Sequence, residues 1–122
     1  MIVAVSGSRG LNIDMEKYMP IGTTKVITGG AKGVDACAEK YAKEHGLELE
    51  IIRPDYKNYY PKVAPLMRNK TIVEKSDVLV AIWDGKSKGT KYTIDYAKKL
   101  GKQVFVHIIE VKTSNEDVHE AT

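Results

Sequence analysis

Three short glycine-bearing segments carry the residue types that hold anions: Ser6-Gly7-Ser8-Arg9-Gly10, Gly29-Gly30-Ala31-Lys32-Gly33 and Asp84-Gly85-Lys86-Ser87-Lys88-Gly89-Thr90. Glycine lets backbone N–H groups come close to a ligand, Ser and Thr add hydroxyl donors, and Lys and Arg balance the charge. Where such a turn opens a helix, unpaired N–H groups and about half a positive charge from the helix dipole favour a phosphate. The expected phosphate or ligand contacts are Ser6, Gly7, Ser8 and Arg9 from the first segment, and Gly29, Gly30 and Lys32 from the second. Asp35 follows the second, and Gly85, Ser87, Lys88, Gly89 and Thr90 come from the third. Arg68 and Asn69 join them from a separate helical stretch. A guanidinium binds phosphate or carboxylate in bidentate fashion, so Arg9 and Arg68 are the expected cations; either could instead pair with Asp35 or Asp84 to pin the loops. Asn69 could hydrogen-bond a base or cap a backbone group, and Asp35 could meet a ribose or stabilise a helix N-terminus.

The elements that must position these segments alternate along the chain. Apolar, β-branched runs begin near residues 2, 24, 47, 77 and 103, and helical patterns separate them. The strands predicted are Met1–Val5, Lys25–Thr28, Leu47–Ile52, Val78–Ile82 and Gln103–His107. Helices are expected from Asn12 or Asp14 to about Met19, from Val34 to a stop at Gly46, from Val63 to Lys75, and from Thr90 to Leu100. Such alternation predicts an α/β fold: a doubly wound, all-parallel, five-stranded sheet of order 3-2-1-4-5 with helices on both faces. In that order the ligand crevice lies outside the carboxyl ends of strands one and four, where strand order reverses. All three glycine segments then fall on one edge. One domain is expected over residues 1–109, with a polar tail over residues 110–122 that is loose or docked on a neighbour.

Composition narrows the function classes. Of 122 residues, 43% are hydrophobic and 29% charged, which is ordinary for a globular protein, and no apolar run reaches the roughly 18 residues of a membrane span. The first residues read as a strand rather than a secretory signal. With the single cysteine, Cys37, they lead to the expectation of a cytoplasmic protein without disulfides or membrane contact. The net charge of +3 is mild and shows no extended basic stripe, so nucleic acid is not an expected partner.

The first loop is not the G-x-G-x-x-G dinucleotide fingerprint, and no Walker-type G-x-x-x-x-G-K-[ST] is present, so neither nicotinamide-dependent catalysis nor ATP hydrolysis is expected. Cys37 has no histidine near it in sequence and reads as a core filler. His45, His107 and His119 lack metal spacing, so no metal and no required cofactor are expected. Trp83 could face a base or close the core, and Tyr56, Tyr59 and Tyr60 could form a stacking lip or a dimer contact.

Taken together, GSR at 7–9, GGAKGVDACAEKYAKEHG at 29–46, RN at 68–69 and SDVLVAIWDGKSKGT at 76–90 resemble the SLOG superfamily. This Rossmann-like group joins the DNA-processing protein DprA with the cytokinin-activating LOG enzymes, and the small YspA/cpYpsA-related branch is the nearest match. The resemblance implies a nucleotide or nucleotide-derived ligand at this edge. Three anion loops without a complete catalytic constellation lead to the expectation that it is sensed or sequestered. The exposed tyrosines and apolar helix faces, with the resemblance to family members that dimerise, lead to that of a homodimer. LOG-type phosphoribohydrolases resemble one another in a PGGxGTxxE loop whose glutamate, with an arginine, is credited with cleaving the base from a nucleoside monophosphate. Here Gly89-Thr90 match and Thr93 stands at the glutamate position. Asp95 cannot replace it, because two residues along a helix turn a side chain by roughly 200°. An N-glycosidic hydrolase would have to use another carboxylate, for which Asp35 and Asp84 are the candidates. Single-stranded nucleic-acid binding, as in DprA, is the third reading.

Overall fold

The computed structural model describes residues 1–110. Of the tail expected over residues 110–122, all but residue 110 lies outside the described residues, His119 included. Five strands, β1 (Ile2–Gly7), β2 (Lys25–Thr28), β3 (Glu48–Ile51), β4 (Val78–Trp83) and β5 (Gln103–Ile108), form one sheet of order β3-β2-β1-β4-β5. All four pairings are parallel, as expected. The helices are α1 (Val34–Glu44), α2 (Ala64–Glu74) and α3 (Lys88–Lys99).

Alternation along the central strands sorts the core into two layers. Val3 and Val5 of β1, Val26 of β2, and Val80 and Ile82 of β4 pack with Val34, Ala38 and Ala42 of α1. Ala4, Ile27, Leu79 and Ala81 point the other way, against Ile72 and Val73 of α2 and Ile94 and Ala97 of α3. Both faces of β1 and β4 are therefore covered, which is why these strands read as unbroken apolar runs. The β3 edge is blunted by charge: Lys25 bonds Glu48 at 3.0 Å and Glu50 at 2.9 Å, and Lys75 also reaches Glu50. Among the described residues no helix is long and apolar enough to cross a membrane.

Several boundaries differ from expectation, β1 for instance running to Gly7 rather than Val5, and two of the differences have a clear local reason. The helix expected from Asn12 or Asp14 to Met19 is a single 3-10 turn, Met15–Lys17, with Asp14 Oδ1 accepting the Glu16 N–H. Pro20 disfavours helical geometry at Met19 and removes a donor, leaving room for one turn. Helix α3 begins at Lys88 rather than Thr90, because Ser87 is its N-cap and its hydroxyl accepts the Thr90 N–H. The glycine turn is thus shorter than the sequence suggests, and Gly89 and Thr90 belong to the first helical turn.

Register brings the functional loops together. Ser6 pairs with Ala81 and Gly7 with Ile82, so β1 and β4 end side by side. Gly33, at φ +76°, turns the chain into α1 with its α-carbon against the β1 loop; a Cβ there would lie 2.3 Å from the Arg9 carbonyl oxygen. Gly33→Ala should lower unfolding free energy by about 1–3 kcal/mol from backbone strain alone. Urea denaturation checks this, and an unchanged midpoint would mean that the loop yields without strain.

Candidate functional site

Ser8 ties the loops of this edge together. It is buried, its N–H donates to the Ile82 carbonyl (3.1 Å), and its own carbonyl accepts from Leu11 and Val34. Its hydroxyl accepts the Asp84 N–H at 3.1 Å. One small residue therefore joins the β1 loop, the start of α1 and the β4 loop. Asp84 shapes the third loop in turn: Oδ1 accepts the Lys86 and Ser87 N–H groups, both at 2.8 Å. Those bonds, Ser87 first, hold its carboxyl below the usual aspartate range. Lys88 and Gly89 lie in the first turn of α3, where N–H groups have no partner within the helix.

Arg68 enters the same edge from α2. Its guanidinium is buried, with Nη1 donating to the carbonyls of Gly29 and Ile52 and Nε to Asn69 Oδ1. Among the described residues neither Arg68 nor Arg9 lies within ion-pair distance of a carboxylate, so the expected pairing with Asp35 or Asp84 does not form. Burial lowers the Arg68 pKa; Asp35 and Tyr56 oppose the shift, and Arg9 and Arg53 add to it. Asn69 passes the contact on, its amide donating to Thr93 Oγ1 at 2.9 Å, while the Thr93 hydroxyl donates to the Gly89 carbonyl at 2.9 Å. Thr93 is thus buried inside the α2–α3 contact.

The Gly29-Gly30 turn has a role the sequence did not disclose. A Cβ on Gly29 would fall 2.4 Å from Arg68 Nη1, and one on Gly30 would fall 2.8 Å from Arg53 Nη1. The two glycines make a seat for two guanidinium groups. Asp35 sets the shape of that turn, its Oδ2 accepting the N–H groups of Gly29 and Ala31, each at 3.2 Å. Burial pushes the Asp35 carboxyl up, against these bonds and the nearby Arg68 charge.

A cleft of about 440 Å³ opens between these elements. Ser6, Gly7, Ser8 and Arg9 line one side, and Ser87, Gly89 and Thr90 line another. Asp35, Arg68 and Asn69 complete the set of expected residues that meet there. Gly29, Gly30, Lys32, Gly85 and Lys88 do not line it: the first two sit beneath the arginines, and Lys32, Gly85 and Lys88 are solvent-exposed. Asp84 does line it, as do Gly10, Ala31, Pro65 and Leu66, none of the last four anticipated. Pro65 and Leu66 follow from α2 starting at Ala64, whose first turn faces the β1 loop; proximity to Arg68 was the available signal. Trp83 is half-buried against the α2–α3 layer and its Nε1 donates to the Ser87 carbonyl, so it supports the loop rather than facing the cleft. Cys37 packs against the α1 layer. Among the described residues no group of three His, Cys, Asp or Glu side chains could hold a metal ion.

The Asp35 environment has a testable consequence for pH. Its folded pKa lies above the unfolded value, so the wild type is penalised where Asp35 is ionised and relieved as pH falls through the folded pKa. Asn keeps the acceptor oxygen without the charge. Asp35→Asn should therefore gain stability relative to wild type near pH 7, with the difference shrinking toward pH 3. Urea titrations at both pH values measure it; a difference that grows on acidification would mean that the Arg68 attraction outweighs burial.

Comparison with known proteins places this geometry. The model of the YspA, cpYpsA-related SLOG family matches residues 1–59, and no curated protein gives a significant sequence match. Among solved structures, DNA processing protein A (DprA) from Streptococcus pneumoniae superposes with a TM-score of 0.69 at 19% identity, over 98% of this chain and 55% of that one. This chain therefore spans about half the length of that DprA. Helicobacter pylori DprA, described for its single-stranded DNA binding mode, gives 0.67 at 21% identity over 99% of this chain and 73% of that one. TM1055 gives 0.62 at 20% identity, over 98% of this chain and 97% of that one. These likenesses establish the fold. They also correct the expectation that nucleic acid is not a partner, since the same fold serves a protein that binds single-stranded DNA. The physical fault lay in using the net charge of +3, a sum over the chain, when Arg9 and Arg53 both lie near enough to act on the Arg68 charge. The first 59 residues thus match the YspA, cpYpsA-related SLOG family model, and the described residues share the fold of DprA and TM1055.

Proposed function

We propose that the cleft binds a nucleotide or nucleotide-derived ligand, sensing or sequestering it rather than transforming it. The observation that carries this reading is the buried Arg68 guanidinium, with no carboxylate within ion-pair distance among the described residues. Charge buried without a counter-ion is costly, and a ligand anion would offset that cost. A phosphoryl group fits between Arg9, the Ser8 loop and the first turn of α3, where helix geometry leaves N–H groups unpaired. Hydrolysis of an N-glycosidic bond has less support. Thr93 is engaged with Asn69 and Gly89, and Asp35 and Asp84 already accept backbone N–H groups that shape their loops.

Single-stranded nucleic acid is the second reading, favoured by the two DprA neighbours and by the three arginines at one edge. Salt separates the two. Oligonucleotide affinity should fall steeply as salt rises if several phosphates are contacted, whereas a mononucleotide should show a shallow slope.

Isothermal titration with nucleoside monophosphates tests the main reading. Arg9 is exposed and has no side-chain hydrogen bond among the described residues, so Arg9→Ala should fold normally. The loss of one charge-assisted contact, about 1.5–3 kcal/mol, should weaken binding about 10- to 100-fold. Absence of binding by every nucleotide tried at millimolar concentration would sink the proposal.

A further inference from the structure

Arg68 lines a second cleft as well as the first. That cleft, about 400 Å³, lies between the stretch after β3 and the outer side of α2, with Ile52, Arg53, Tyr59, Met67 and Tyr96 among its walls. Its charges do not cancel. Arg53 rests on the Gly30 carbonyl at 3.4 Å, and Lys70 stands 5.2 Å over the Tyr96 ring; neither lies within ion-pair distance of a carboxylate among the described residues. Both carboxylates facing it are engaged with neutral donors. Asp55 accepts the Lys57 and Asn58 N–H groups and the Asn58 side-chain amide, and Glu74 accepts the Tyr96 hydroxyl at 2.6 Å. Arg53 and Arg68 are meanwhile held beside each other on consecutive glycines, a placement that like charges oppose unless an anion joins them.

We infer that the ligand carries two phosphoryl groups, and that Arg53 is the specificity residue for the second, on the second-cleft side of Arg68. This rests on the nucleotide reading of the first cleft. Of these two clefts, the Ser8–Arg9 loop and the α3 N-terminus line the first, Arg53 lines the second, and Arg68 lines both. A ligand spanning both would turn one phosphoryl group toward Arg9 and the α3 N-terminus and the other toward Arg53, with the Arg68 guanidinium facing both. Tyr59 and Tyr96 would then offer faces to the second unit. Two ligand classes share this chemistry: a diphosphate-linked nucleotide, and two adjacent nucleotides of a single strand.

Titration calorimetry at fixed ionic strength with AMP, ADP-ribose and the dinucleotide pApA tests the inference and separates these classes. One of the two larger probes should bind at least about tenfold tighter than AMP, the worth of one charge-assisted contact. Arg53 is exposed, so Arg53→Ala should fold normally; it should erase that gain while leaving AMP affinity within about twofold. A gain confined to ADP-ribose assigns the diphosphate-linked class, and one confined to pApA assigns the single strand. If AMP binds and neither larger probe gains, or if the gain survives Arg53→Ala, the inference is overturned and the first-cleft reading stands. If AMP, ADP-ribose and pApA all fail to bind, the first-cleft reading fails and the inference falls with it.

Discussion

The guanidinium of Arg68, buried and with no carboxylate in ion-pair range among the described residues, is the constraint around which this edge of the fold is arranged. A buried charge must have its donors satisfied, and here backbone carbonyls do most of that work. To reach the Gly29 carbonyl the side chain lies so close to the turn that any Cβ at that position would collide with it. The turn must then be held open in that shape, which Asp35 does by accepting the Gly29 and Ala31 N–H groups. Asp35 is itself pushed toward its neutral form by burial. Each residue of the chain from Arg68 to Asp35 is costly alone and makes sense beside the next.

The sheet supplies the frame for this arrangement. Parallel pairing of β1 with β4 ends both strands at the same level, so the Ser8 hydroxyl meets the Asp84 N–H and one residue couples two loops from distant parts of the sequence. The start of α1 is drawn into the same knot through the Ser8 carbonyl. Rigid loops matter for a binder, because the entropy of ordering them is lost during folding rather than on ligand capture.

Strand order, the two-layer core and the convergence of three glycine segments were legible in the sequence because they follow from period and punctuation: apolar runs for buried strands, glycine and proline at the turns. The start of α3 was misplaced by two residues because Ser87 in a glycine- and lysine-rich turn looks like loop until its hydroxyl is seen to cap Thr90. The role of Gly29-Gly30 was illegible for a deeper reason. A glycine pair that lets a ligand approach and one that lets an arginine approach are identical in sequence, and the arginines come from residues 53 and 68. Lys32 and Lys88 show the same limit from the other side. Proximity along the chain suggested the cleft, yet both side chains are exposed away from it.

Thr93 changes meaning most between sequence and structure. Set against the LOG pattern it is a missing glutamate, a negative feature. In the fold it is a positive one, because its hydroxyl accepts from Asn69 and donates to Gly89, joining α2 to the first turn of α3. Asn69 is held by this bond in the orientation that presents its carbonyl oxygen to Arg68 Nε. A longer, charged side chain at position 93 would have to displace that link inside a layer where Thr93 is almost fully buried. The exchange therefore does more than subtract a carboxylate. It sets the amide that orients the arginine, and a rigid, positively charged seat suits the holding of an anion better than the cleavage of a bond beside it.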